Sequence, residues 1–235
     1  MHARSLRYSL SLARQLLLPD SCVLCGAELR DDSICRPCRE LLPLPERGCE
    51  RCAGPLPGDP APGVHCGRCQ TDPPTFHKTI AALKYAYPAD TALKALKFDG
   101  QLQYAPAFAS LLLPLLQREF ADADALLPVP LHRWRHARRG FNQATELVKP
   151  LARASGLPIL ADLRRIRATP SQSGLDAKER RRNLQGAFAL RKPIACRYPV
   201  IVDDVMTTGE TCRQLSQLLL EAGADTVGVL VVARA

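Results

Sequence analysis

Residues 199–232 constrain the fold more than any other stretch of the chain. Two apolar runs, 200–202 and 227–232, stand on either side of a segment with helical spacing. A short, unbroken β-branched run suits a strand buried on both faces of a parallel sheet. Two such strands joined through a helix form a crossover unit, and ligands bind at the carboxyl ends of its strands. Leu215, Leu218, Leu219 and Ala222 share one helix face, and Gly223 stands where a helix C-terminus is capped. The sheet is expected to open at Asp203, where two carboxylates lead into Thr207, Thr208, Gly209, Glu210 and Thr211.

That loop has the chemistry of a phosphate site beside a sugar. Free amides at a helix start carry partial positive charge, and glycine lets an anion approach them. The threonine hydroxyls add donors. Asp203 and Asp204 would repel a phosphate, so they suit a vicinal diol or the orientation of a divalent cation. No lysine follows the glycine, which excludes the polyphosphate loop of nucleotide hydrolases. Aliphatic strand, Asp-Asp, aliphatic pair and Thr-Thr-Gly-x-Thr together resemble the signature of type I phosphoribosyltransferases for 5-phosphoribosyl-1-pyrophosphate (PRPP). A buried strand with a threonine-capped helix would explain one or two of these residues, but not the whole string.

The 235 residues suffice for one α/β core with a small appendage, and 46% hydrophobic content argues against disorder. No apolar run reaches 18 residues, so no membrane insertion is expected and a cytoplasmic location is. Leu6, Leu10, Ala13 and Leu17 recur at helical spacing, so residues 1–20 read as an amphipathic helix rather than a targeting signal. The net charge of +9 is uneven, because residues 131–192 hold 15 Lys and Arg against 4 acids. The rest of the chain sums to −2. Such a field attracts either PRPP or a nucleic-acid backbone, and charge alone does not choose between them.

Eight of the ten cysteines form four CxxC pairs: Cys22/Cys25, Cys35/Cys38, Cys49/Cys52 and Cys66/Cys69. Each pair places two thiolates on one knuckle, and two knuckles complete a tetrahedral zinc shell. Residues 21–74 therefore read as a double zinc ribbon with two structural zinc ions. Sequential pairing closes the shortest loops, and an interleaved scheme stays open. The Pro- and Gly-rich stretch 54–63 leaves metal to supply most of the folding energy. His65 reads as a loop histidine, with a ligand role as the alternative. Cys212 reads as a small buried residue, with a thiol activated by the helix start as the alternative.

Residues 75–235 are read as the α/β domain. A strand is expected over 80–87, helices over 91–98 and 105–116 with Pro114 kinking or ending the second, a strand over 125–129 and a helix over 143–152. Lys97 is assigned to a helix surface, with a phosphate contact as the alternative. Arg133, Trp134, Arg135, His136, Arg138 and Arg139 precede Gly140-Phe141-Asn142-Gln143-Ala144, where arginine forks suit diphosphate oxygens and Asn142 suits a helix cap. A second basic stretch, 163–188, carries Lys178-Glu179-Arg180-Arg181-Arg182-Asn183, and its Ser, Gly, Gln and Pro content suits a mobile loop.

The strings Leu96-Lys97-Phe98-x-Gly100, Arg139-Gly-Phe-Asn-Gln143, Glu179-Arg-Arg-x-Asn183 and Gly186-Ala-Phe188 resemble ComF proteins, relatives of competence factors for DNA uptake. From Cys22 onward the chain is identified as a member of that family. The resemblance implies a type I phosphoribosyltransferase-like parallel sheet flanked by helices, preceded by a small zinc-ribbon module. It further implies PRPP on Thr207, Thr208, Gly209 and Thr211, with ribose hydroxyls on Asp203 and Asp204 and magnesium bridging to the diphosphate. Arg138, Arg139 and Arg135 would neutralise the pyrophosphate, and a lid bearing Arg180 and Arg181 would exclude water. The expected activity is phosphoribosyl transfer. The alternative is a non-catalytic PRPP sensor that binds single-stranded DNA or a helicase partner. Neither the acceptor nor the oligomeric state follows from the residues.

Overall fold

The computed structural model describes residues 20–29, 32–131, 137, 139–161, 163–166, 187–190 and 193–235. The chain divides into two compact units, 1–42 and 43–235. The helix expected over 1–20 lies outside the described residues apart from Asp20, which belongs to a strand.

In the first unit, β1 (Asp20–Ser21) pairs antiparallel with β2 (Glu28–Leu29), and α1 (Arg36–Glu40) follows. A hairpin this short cannot stand on its own ladder, so its persistence depends on the cysteines around it.

In the second unit, α2 (Gly67–Thr71) precedes β3 (Lys78–Lys84), α3 (Ala89–Phe98), α4 (Tyr104–Glu119) and β4 (Ala125–Pro128). There follow α5 (Gln143–Ser155), β5 (Leu163–Arg165), β6 (Phe188–Leu190), β7 (Pro199–Met206), α6 (Glu210–Glu221) and β8 (Gly228–Arg234). β3, β8, β7 and β4 form a parallel sheet in that spatial order, while β5 and β6 pair antiparallel beside it. The fold is thus α/β, as read from the two buried runs.

Alternation along β7 sorts its side chains between two faces. Ile201 joins Val229, Val231, Leu215, Leu219, Phe188 and Phe76 in an apolar layer under α6. The opposite face turns toward α4 and α5, which pack on each other and on the sheet.

Two local expectations are refined. The opening expected at Asp203 is one-sided, because the ladder of β7 with β8 persists through Asp203↔Val231 and Met206↔Arg234. Only the β4 side opens, where pairing stops at Pro128↔Val202. Pro114 does not end its helix, since α4 runs on to Glu119. The proline lies on the exposed side, and buried Leu112 and Leu116 hold the helix on either side of it.

Connectivity opens a crevice beside β7. From β7 the chain passes through α6 to β8 on one side. From β4 it passes through α5 to a parallel bridge, Leu126↔Ile159, on the other. The loops after β4 and β7 diverge, and a gap of this kind at the carboxyl ends of strands is where open α/β sheets bind ligands.

Candidate functional site

Asp203 and Asp204 project from adjacent positions of β7 at this crevice, and alternation gives them different neighbours. Asp204 is 2% exposed. Lys97, on the last turn of α3, places Nζ 3.2 Å from its Oδ2. Gln143, the first residue of α5, donates from Nε2 to its Oδ1 at 3.4 Å, and Arg139 donates to Gln143 Oε1 at 2.6 Å. The Arg139 guanidinium also lies 5.6 Å from the centre of the Phe98 ring. Lys97 therefore meets a carboxylate, which neither sequence reading anticipated. Asp203 is partly exposed, and its Oδ1 accepts the Asp204 amide at 2.9 Å.

The two carboxylates titrate in opposite directions. Burial and the Asp204 charge push Asp203 well above the usual carboxylate range. For Asp204, burial acts upward but is outweighed by Lys97, by Asp203 and by Gln143, so its carboxyl is held below that range.

Asn142 fixes the start of α5: its side-chain oxygen accepts from the Ala144 amide at 3.1 Å, and its Nδ2 donates to the Val129 carbonyl at 3.0 Å. That cap sets Gln143 toward Asp204. Beyond β7, Thr207 is exposed while Thr208, Gly209 and Thr211 are half-buried. Gly209 is the N-cap of α6 at φ 76°, and a β-carbon there would stand 2.5 Å from the Met206 methyl. The left-handed φ favours glycine there, and a β-carbon would also displace the Met206 methyl. Cys212, one turn into α6, is 2% exposed, and burial drives its thiol upward, which fits the small buried residue and not a reactive thiol. Arg135, Arg138, Arg180 and Arg181, with Trp134, lie outside the described residues.

The cysteines gather into two quartets in sequential pairing: Cys22, Cys25, Cys35 and Cys38, then Cys49, Cys52, Cys66 and Cys69. In each, the sulfur atoms lie within 4.8 Å of one another. A tetrahedral shell with Zn–S near 2.3 Å has edges of about 3.8 Å. Cys25 and Cys35 sulfurs are 3.7 Å apart, and Cys52 and Cys66 sulfurs 3.8 Å. Burial disfavours ionisation of Cys22, but the amides of Cys35, Cys25 and Leu24 outweigh it and bring the thiol to about 6. The amides of Cys66, Cys52 and Arg51 likewise bring Cys49 to about 7 against its burial. Amide donation to thiolate is the usual outer support of a zinc knuckle. Both sets fit zinc, each is closed with four sulfurs, and His65 is not needed as a ligand.

Sequence reasoning missed two residues here. Gln143 has no role assignable from the sequence, and its position at N1 of α5 is what turns it toward Asp204. Arg68 carried no signal at all, yet it donates from a guanidinium nitrogen to the Thr208 carbonyl at 2.9 Å.

A four-stranded parallel sheet flanked by helices, with two closed cysteine quartets, defines an α/β protein with a zinc-ribbon module. The double zinc ribbon domain family matches residues 13–70. The chain is 37% identical to DNA utilization protein YhgH of Salmonella typhimurium over 227 residues, 93% of this chain and 99% of that protein. It is 34% identical to competence protein F of Haemophilus influenzae over 73% of this chain and 79% of that one. Competence protein ComFC of Streptococcus pneumoniae is 32% identical over 59% of this chain and 60% of its own length. The chain belongs to the ComF family of competence and DNA utilization proteins. Among the described residues no helix is long and apolar enough to cross a membrane.

Proposed function

We propose that the crevice binds PRPP and that the protein transfers its phosphoribosyl group. The observation that carries this reading is the placement of Asp204, paired with Lys97 and Gln143, on the same strand that feeds the Thr207–Thr211 loop into the start of α6. The 5-phosphate would lie on the amides and hydroxyls of Thr207, Thr208, Gly209 and Thr211. Asp203 and Asp204 would accept the ribose hydroxyls. Arg139 stands one residue from that pair through Gln143, and with Arg138 and Arg135 it would face the diphosphate.

One Asp203 oxygen already holds the Asp204 amide, and Asp204 faces Lys97 and Gln143, so the acidic pair is no all-protein cation cage. It fits magnesium carried in with diphosphate oxygens, which would neutralise charge on the leaving group. In transfer, the bond from sugar C1 to the diphosphate oxygen breaks and its electron pair leaves with pyrophosphate. A nitrogen lone pair of the acceptor forms the new bond to C1, and the acceptor then loses its proton. Arg180 and Arg181 belong to the proposed lid that keeps water from the sugar cation.

A second reading draws on the relatives, which are named for DNA utilization and competence. In it the pocket senses PRPP while the basic stretch 131–192 holds single-stranded DNA or a DNA-processing partner. Titration of the zinc-loaded protein with PRPP and magnesium, with pyrophosphate release measured against a panel of bases, separates the two. Base-dependent release that Asp204→Asn abolishes supports transfer. PRPP binding without release, with salt-sensitive DNA retention, supports the sensor, and no PRPP binding sinks both.

A further inference from the structure

The second cysteine quartet and the Thr207–Thr211 loop lie in one compact unit, and a set of arginines joins them. Arg68 sits between Cys66 and Cys69, inside the knuckle that opens α2. Its guanidinium donates to the Thr208 carbonyl at 2.9 Å and lies 3.8 Å from the Glu210 carboxylate, which is 2% exposed. It thus holds both neighbours of Gly209, the residue whose left-handed backbone turns the chain into α6.

Two further arginines complete the set from the opposite side. Arg213, in the first turn of α6, donates to the Asp72 carbonyl at 2.6 Å and pairs with its carboxylate at 3.0 Å. Arg234, at the end of β8, donates to the Cys52 carbonyl and to the Met206 carbonyl, each at 3.0 Å. The ribbon therefore meets the last residue of β7, the loop itself and the first turn of α6. Between these contacts lies a cavity of about 220 Å³, lined among others by Cys52, Arg68, Phe76, Gly209 and Arg213. Beside that cavity the loop is held by these bonds together with the Met206 and Phe76 side chains that approach Gly209.

We infer that Arg68 is a positioning residue that makes the geometry of the phosphate loop depend on zinc in the second quartet. Zinc bound by Cys66 and Cys69 fixes the backbone on both sides of Arg68. A fixed backbone leaves only the side-chain rotamers to be ordered when Arg68 holds Thr208 and Glu210. Without the metal the knuckle relaxes and the grip on Gly209 loosens. The consequence for ligand binding rests on the PRPP reading above, but the coupling itself does not.

Hydrogen exchange of the amides of residues 207–213, in full-length zinc-loaded protein without ligand, tests the coupling. Arg68→Ala should retain two zinc ions per chain and exchange these amides roughly tenfold faster, the loss of one charge-assisted bond. Arg68→Lys should recover part of that protection, and Arg118→Ala, an exposed surface change, should leave it as in the unaltered protein. Chelation should accelerate the same amides in the unaltered protein and add less in Arg68→Ala. Unchanged exchange in Arg68→Ala with both zinc ions retained overturns the inference, as does an equal chelator effect in both proteins. Should Arg68→Ala lose metal, Arg68→Gln with both ions bound decides on the same readout. PRPP titration of the same variants should show about tenfold weaker binding for Arg68→Ala. If PRPP fails to bind even the unaltered protein, the exchange result still stands.

Discussion

Adjacent carboxylates on β7 face different surroundings. On Asp204's side stand a lysine, a glutamine and, one step further, an arginine, all from helices α3 and α5 and the turn between β4 and α5. On Asp203's side the sheet carries an apolar layer under α6 that includes Cys212, and Asp203 is near enough to that thiol to push it upward in addition to burial. The same side chain is therefore kept charged at one position and disfavoured as an anion at the next. A strand's two-residue period is the cause, because it delivers neighbours in sequence to opposite faces. A functional pair on a strand is two sites that share an edge, and each has its own electrostatic support.

The distinction between the two faces of β7 breaks most readily at Asp204. Asp204→Asn leaves the Lys97 ammonium without its counter-charge beside a buried amide, so stability should fall by about 2 kcal/mol, measured by chemical denaturation. The same change should weaken PRPP binding ten- to a hundredfold, as expected for loss of a charged acceptor to a hydroxyl. A smaller effect isolates the ion pair. In a double-mutant cycle of Lys97→Met and Asp204→Asn, a coupling of about 1 kcal/mol is expected, since Lys97 is 33% exposed and solvent screens part of the pair. Zero coupling would mean that Gln143 alone holds Asp204, and the polar face would lose its main distinction.

Much of this arrangement is legible from residues alone. The run 200–202, the glycine at 209 and the four CxxC pairs each impose a local geometry, and each appears where its chemistry requires. What escaped reading depends on distance in the sequence. Lys97 and Gln143 reach Asp204 across more than 100 and 61 residues respectively, a proximity created by sheet order rather than by any local pattern. Arg68 reaches Thr208 across 140 residues. The opening at Asp203 is one-sided for a related reason: a carboxylate pair marks the edge toward β4, while the β8 ladder continues past it. Propensity alone lets Pro114 kink or end the helix, whereas burial of Leu112 and Leu116 carries it on to Glu119.

The smallest effect is expected at Asp203, and its sign is the sharpest test of the comparison. A carboxyl whose folded pKa lies above its unfolded value binds its proton more tightly in the folded protein. Stability from that proton is present at low pH and is lost as pH rises through the folded value. Asp203→Asn removes the charge without removing the amide acceptor, so at neutral pH it should stabilise the protein, by about 1 kcal/mol or less. The gain should shrink as pH falls, because protonated Asp203 and asparagine are then alike in charge. Asp204 must behave in reverse. Its lowered carboxyl contributes stability above the unfolded value near 3.9, and that contribution is lost as pH falls through the folded value. Denaturation midpoints of both asparagine variants across pH 3 to 8 should therefore diverge upward in pH, one above the unaltered protein and one below it. If both variants lie below it at every pH, the two carboxylates act as one buried polar pair, and the division between the faces of β7 does not hold.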